Sequence, residues 1–134
     1  MHEPGRPASA VLANEEQYPW EVDPEDADRD AKVRWRTLVS ADRTPSSGIT
    51  MGVFELPPGA ELAPHRHHPQ EVYYVVAGEA EVFVDGGWRP ARRGDVLYVP
   101  GDVAHGARNR GYTTCSVVWV FPTDTYDEIE YFDA

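Results

Sequence analysis

Lysine is almost missing from this chain. Lys32 stands alone among 12 basic residues, which face 23 acidic ones for a net charge of −11. That balance argues against nucleic acid or an anionic membrane as a partner recognised by general electrostatics. The arginine bias fits GC-rich coding; an acidic surface poor in lysine also occurs in salt-adapted proteins, so a halophilic source stays open. Cysteine is limited to Cys115, which rules out an internal disulfide and suits a reducing compartment. Long apolar runs are absent too: a segment such as Val117–Phe121 is far too short to span a bilayer. Residues 1–17 lack the charged start and apolar stretch of a signal peptide, so the expected location is cytoplasmic. No stretch keeps a helical period and no repeat is visible. The 134 residues suffice for one domain and not for two.

Short strands separated by turn signals make up the rest. Residues 1–17 are polar and broken by Pro and Gly, and the acidic run from Trp20 to Asp30 reads as a surface loop or a short helical turn. Strands are expected at Trp35–Val39, Ile49–Leu56, Val72–Val76, Glu79–Val84, Trp88–Arg92, Asp95–Val99, Ala104–Asn109 and Thr114–Phe121. Their stops are Pro57-Pro58-Gly59, Gly78, Asp85-Gly86-Gly87, Pro100-Gly101 and Pro122. Many short strands with regular turns predict an all-β antiparallel barrel or sandwich. The division is an arm and acidic loop over residues 1–30, then one barrel domain over residues 31–134. Past Pro122 the tail is acidic and aromatic, and Tyr131-Phe132 can fold back on the barrel.

The residues with chemistry cluster between Gly59 and Gly78. His65 and His67 are one residue apart, so on a strand they point to the same face. Glu71 follows a short bend containing Pro69, and His105 comes from a later strand, expected across the barrel. Three imidazoles and a carboxylate suit one divalent transition metal (Fe, Mn, Ni, Zn, Co or Cu) with one or two coordination positions left for a substrate. Without a cation, these buried polar groups would be costly. His68 falls on the opposite face from His67, at the rim. Arg66, Arg92, Arg93, Arg108 and Arg110 read as solvated faces.

These residues resemble the cupin superfamily. Its first motif, G-x5-H-x-H-x3-E-x6-G, is met at every fixed position from Gly59 to Gly78. Its second, G-x5-P-x-G-x2-H-x3-N, is met by Gly94, Pro100, His105 and Asn109, with Asp102 in place of one glycine. The resemblance implies a single antiparallel β-barrel of the double-stranded β-helix (jelly-roll) type with His65, His67, Glu71 and His105 as metal ligands. It also implies a homodimer, since cupins often pair through strands or sheet faces.

Tyr73 shares a strand face with Glu71, about 6.6 Å further along. A cation nearby favours its phenolate and lowers its pKa from about 10. Tyr126 and Tyr131 offer a second phenol over the barrel mouth. The set is similar to the cupin lyases that split dimethylsulfoniopropionate into dimethyl sulfide and acrylate, which carry H-x-H-x3-E-x-Y, a later histidine and a functional tyrosine near the C-terminus. That resemblance gives Tyr73 and Tyr131 catalytic roles on a small carboxylate substrate. Trp119 or Trp35 would hold the cationic sulfur over an aromatic face. Two other classes share this ligand set: a dioxygenase or isomerase acting on another small organic acid, and a non-catalytic binding or sensor module.

Overall fold

The computed structural model describes residues 9–134, so the first eight residues of the expected arm lie outside the described region. Ten strands form: β1 (Arg34–Val39), β2 (Thr50–Leu56), β3 (Glu61–Arg66), β4 (Glu71–Ala77), β5 (Glu79–Val84), β6 (Gly87–Arg92), β7 (Val96–Val99), β8 (His105–Arg108), β9 (Cys115–Phe121) and β10 (Phe132–Asp133). Single-turn 3₁₀ helices at Glu15–Gln17, Pro24–Asp26 and Tyr126–Glu128 are the only helical elements among the described residues. None is long and apolar enough to cross a membrane. The eight expected strands are present with ends moved by a residue. β3 and the two-residue β10 are the additions, because Pro64 and the tail's acidic content hide their strand pattern.

The strands make two five-stranded antiparallel sheets, in the orders β1-β2-β9-β4-β7 and β10-β3-β8-β5-β6. This is the jelly-roll form of the barrel, in which packed side chains join the two sheets. The alternation that makes a strand half-buried is explicit in β9, where Cys115, Val117, Trp119 and Phe121 are buried and the residues between them are not. In β4 the buried set is Glu71, Tyr73 and Val75, so the face shared by Glu71 and Tyr73 is real and points inward.

The sheets contribute differently to the interior. The first brings bulk: Phe54, Leu56, Tyr73, Trp119 and Phe121 belong to one buried cluster, each large side chain contributing about 1.5–3 kcal/mol by leaving water. The second brings small residues such as Ala91 and Ala107 and the histidines 65 and 105. Gly52, opposite Trp119 in the β2–β9 ladder, is needed for this arrangement. A Cβ there would lie 2.3 Å from the indole Cζ2 and 2.2 Å from the Arg36 carbonyl oxygen. Asn109 locks the far end of β8, donating to the carbonyls of Leu56 and Thr113 at 2.8 and 2.7 Å.

Candidate metal centre and its cavity

His65 lies on β3 directly opposite His105 on β8, after a register shift between Leu62 and His65. His105 is therefore the next-door neighbour of His65 within one sheet, not a residue from across the barrel as the sequence suggested. The jelly-roll connection that returns β8 beside β3 is the reason. The ligand candidate that does come from the other sheet is Glu71, which opens β4 and pairs with Val99. His67 sits one residue past β3, in the bend that carries the chain from the second sheet to the first. All four side chains are shielded from solvent, at 9% exposure for His65, 1% for His67, 4% for Glu71 and 0% for His105.

Each imidazole is oriented by the same local device. Nδ1 of His65 donates to the carbonyl of Ala63, that of His67 to Pro69 and that of His105 to Val103, all at 2.8 Å. A proton held at Nδ1 leaves Nε2 as the lone-pair nitrogen, which is the form that ligates a metal. The ligating atoms of the three histidines lie within 4.8 Å of one another. The Nε2 atoms of His67 and His105 approach the same Glu71 oxygen at 3.1 and 3.0 Å. A lone pair facing a carboxylate at that distance is repulsive unless positive charge lies between them. Burial holds the His65 pKa down at about 4, so this imidazole is neutral. Burial also pulls His67 down, but its bond to the Glu71 carboxylate and the Pro69 carbonyl outweigh burial and leave its pKa raised.

A divalent cation fits this donor set, and the three buried histidines can hold one. Two donor atoms at right angles on an ion about 2.1 Å away stand about 3 Å apart, close to the spacing of Glu71 from His67 and His105.

A cavity of about 430 Å³ opens beside the cluster, with His65 and Glu71 in its wall. Aromatic side chains dominate the lining: Trp35, Phe54, Tyr73, Trp119, Tyr126 and Tyr131. Trp35 stacks on Tyr126 with centroids 6.5 Å apart, and Trp119 meets Tyr126 at 5.5 Å. Asp23, Glu25, Asp26, Glu61 and Asp133 also line it, against one basic residue, Arg29. The acidic run, expected as a surface loop or a short helical turn, contains the 3₁₀ turn Pro24–Asp26 and forms part of this wall, tied to β1 by the bridge between Glu21 and Trp35.

The two candidate phenols occupy opposite surroundings. Tyr73 is 3% exposed and packs edge-on against Phe54 at 5.3 Å and His105 at 5.8 Å. With Phe54 it also lines a second cavity of about 350 Å³, whose wall includes Cys115, Val117, Arg89 and Asp95, so it borders two spaces. Burial, with Glu71 beside it, pushes its pKa well up, the opposite of the direction expected from a cation alone. Tyr131 is 44% exposed. Its ring lies 5.3 Å from that of His65 and 5.4 Å from that of His67, and its hydroxyl is 3.0 Å from that of Tyr126. Burial of the phenol and the nearby Tyr126 push its pKa up as well.

Trp119 is buried and Trp35 half-buried, both in the cavity wall. The indole nitrogen of Trp35 has no hydrogen-bond partner among the described residues. Sequence reasoning gave Tyr126 only as an alternative to Tyr131 and did not single out Phe54 or the acidic wall. Nothing local marks those residues, because a loop before β1 reaches the cavity only through the fold.

The family model described as Cupin domain matches residues 52–121. Over 98% of this chain and 85% of its own length, dimethylsulfoniopropionate lyase DddW of Ruegeria pomeroyi is 33% identical. Among solved structures, the polyketide cyclase RemF of Streptomyces resistomycificus superposes with a TM-score of 0.78 at 17% identity, covering 94% of this chain and 86% of that one. The dimethylsulfoniopropionate lyase DddQ of Ruegeria pomeroyi gives 0.68 at 21% identity, over 81% of this chain and 58% of that one. At those identities the two structures speak for the fold alone.

Proposed function

This chain belongs to the cupin domain family, and on that premise we propose that it is a metal-dependent lyase releasing dimethyl sulfide from dimethylsulfoniopropionate. The observation that carries the reading is one cavity whose wall combines members of the histidine–carboxylate cluster with aromatic rings and further carboxylates. His65 and Glu71 bring the metal-binding cluster to its wall, and the same wall holds aromatic side chains, five further carboxylates and one arginine. A zwitterion suits that combination, its carboxylate toward the metal and its sulfonium toward the ring faces and carboxylates.

His65, His67, His105 and Glu71 would hold the metal, with Glu71 the fourth ligand. When bound there, a divalent transition metal supplies Lewis acidity toward the substrate carboxylate, which makes the neighbouring C–H bond more acidic. Trp35, Trp119 and Tyr126 present ring faces and edges to the sulfonium, and cation–π attraction grows as water leaves the cavity. The acidic wall raises the local concentration of a cationic group. Tyr131 would take the α-proton; burial and Tyr126 raise its pKa, so its phenolate form depends on the nearby divalent metal. The C–H electron pair becomes the C=C bond of acrylate, and the C–S bond breaks to leave neutral dimethyl sulfide. Tyr73, across the cavity, supplies a second phenol that orients the substrate.

Metal-loaded protein incubated with dimethylsulfoniopropionate under anaerobic conditions is expected to release dimethyl sulfide and acrylate in equal amounts, read by headspace gas chromatography. No product with any divalent metal removes the lyase reading. Oxygen uptake by the Fe(II) form with another organic acid would then assign the site to the oxygenase class.

A second copy of the chain is the proposed partner of the outer face of the first sheet. Tyr74 and Val76 on β4 and Val96 and Tyr98 on β7 are exposed, beside the half-buried Val118 and Val120 of β9. These six uncharged side chains lie on a molecule of net charge −11, so two copies can meet there without apposing like charges. β7 is also an edge strand. Tyr98→Glu is expected to convert a dimer to monomer in sedimentation velocity. Monomeric wild-type protein at high micromolar concentration ends the idea.

A further inference from the structure

We infer that Asp102 is a positioning residue: through Arg66 and His68 it clasps Phe132, and so holds the strand that lays Tyr131 over the histidine cluster. The consequence for catalysis rests on the reading of Tyr131 given above; the clasp itself does not.

Asp102 stands where the two-motif pattern has glycine, and its backbone explains the glycine. Its φ is +64°, a left-handed conformation that glycine adopts freely and that among other residues Asn and Asp tolerate best. A side chain kept in that turn needs a use, and its contacts supply one. Oδ1 of Asp102 accepts from His68 Nδ1 at 2.6 Å and from Arg66 Nη1 at 3.4 Å. The Asp102 N–H meanwhile donates to the His67 carbonyl at 2.8 Å. One residue therefore grips the histidine segment by both backbone and side chain.

The alternation of an extended segment sets what that grip reaches. His65 and His67 point into the barrel, so Arg66 and His68 point out. The guanidinium of Arg66 lies 4.7 Å over the ring of Phe132, and the His68 ring is 5.6 Å from it. Phe132 is opposite Arg66, and Asp133 opposite His65, in the β10–β3 ladder. Tyr131 precedes Phe132, so it turns the other way, onto the rings of His65 and His67. Two paired residues are a short strand, and the outward contacts of Phe132 add to what fixes its register. The layers are thus matched residue by residue, with ligands and Tyr131 inside and the clasp outside.

Asp102→Gly is the discriminating variant, because glycine suits the turn and removes only the side chain. Hydrogen exchange of the segment 127–134, followed by mass spectrometry on the metal-loaded full chain, is expected to quicken about five- to tenfold. Exchange in β5 and β8, which do not pair with β10, and the metal content should stay at wild-type values. Asp102→Asn, which keeps an acceptor oxygen and tolerates the turn, should restore most of the protection, and Phe132→Leu should reproduce the glycine variant. Unchanged exchange in Asp102→Gly overturns the clasp, whatever happens to turnover. Quickened exchange with a fall in kcat at constant KM supports both the clasp and the role of Tyr131. Quickened exchange with unchanged turnover upholds the clasp and removes Tyr131 from the reaction.

Discussion

The double variant His65→Ala/His105→Ala is expected to purify without stoichiometric metal and to release no dimethyl sulfide above background. The two residues face each other across the β3–β8 ladder, so their removal takes two of the three converging nitrogens at once. His67 and Glu71 remain, 3.1 Å apart, as a pair that shares a proton instead of a cation. Metal that binds only the native state stabilises it by mass action. A chelator should therefore lower the thermal midpoint of the wild type and leave that of the variant unchanged. Elemental analysis reads the first result directly, and full metal retention would refute the site. Emptying two buried positions costs about 2–5 kcal/mol each in typical cores, so His65→Gln/His105→Gln, closer in volume, serves if the alanine form does not fold.

Tyr131→Phe should lower kcat by about 10²- to 10⁴-fold, the usual range for losing a general base, with metal content intact. The ring that covers His65 and His67 is retained, and only the hydroxyl bonded to Tyr126 is lost. Tyr73→Phe is the internal comparison. Tyr73 is 3% exposed, whereas Tyr131, just before β10, is 44% exposed and exchanges a proton with water more readily. The loss should therefore be larger at Tyr131 than at Tyr73. Wild-type turnover in Tyr131→Phe would return it to packing, and a larger loss at Tyr73 would exchange the two roles.

Much of the fold was legible because strand alternation is a local property. Cys115, Val117, Trp119 and Phe121 are two residues apart in sequence and on one buried face in the structure, as are Glu71, Tyr73 and Val75. The same period explains why His65 and His67 act together and why Arg66 and His68 do not join them. β3 was less legible, since Pro64 and a register shift interrupt it, and β10 was too short to announce itself.

Sequence alone determined the class of the molecule: an acidic, all-β chain with a cupin ligand pattern whose alternation selects the inward residues. Only the tertiary structure decided which of those residues are neighbours. It set His105 beside His65, brought Glu71 to them from the other sheet, and turned an acidic loop into part of the cavity wall. It also brought Asp102, which the motif registers only as a missing glycine, into contact with Arg66 and His68. The reason is that side-chain direction follows from the nearest peptide units, whereas adjacency between strands follows from the path of the whole chain.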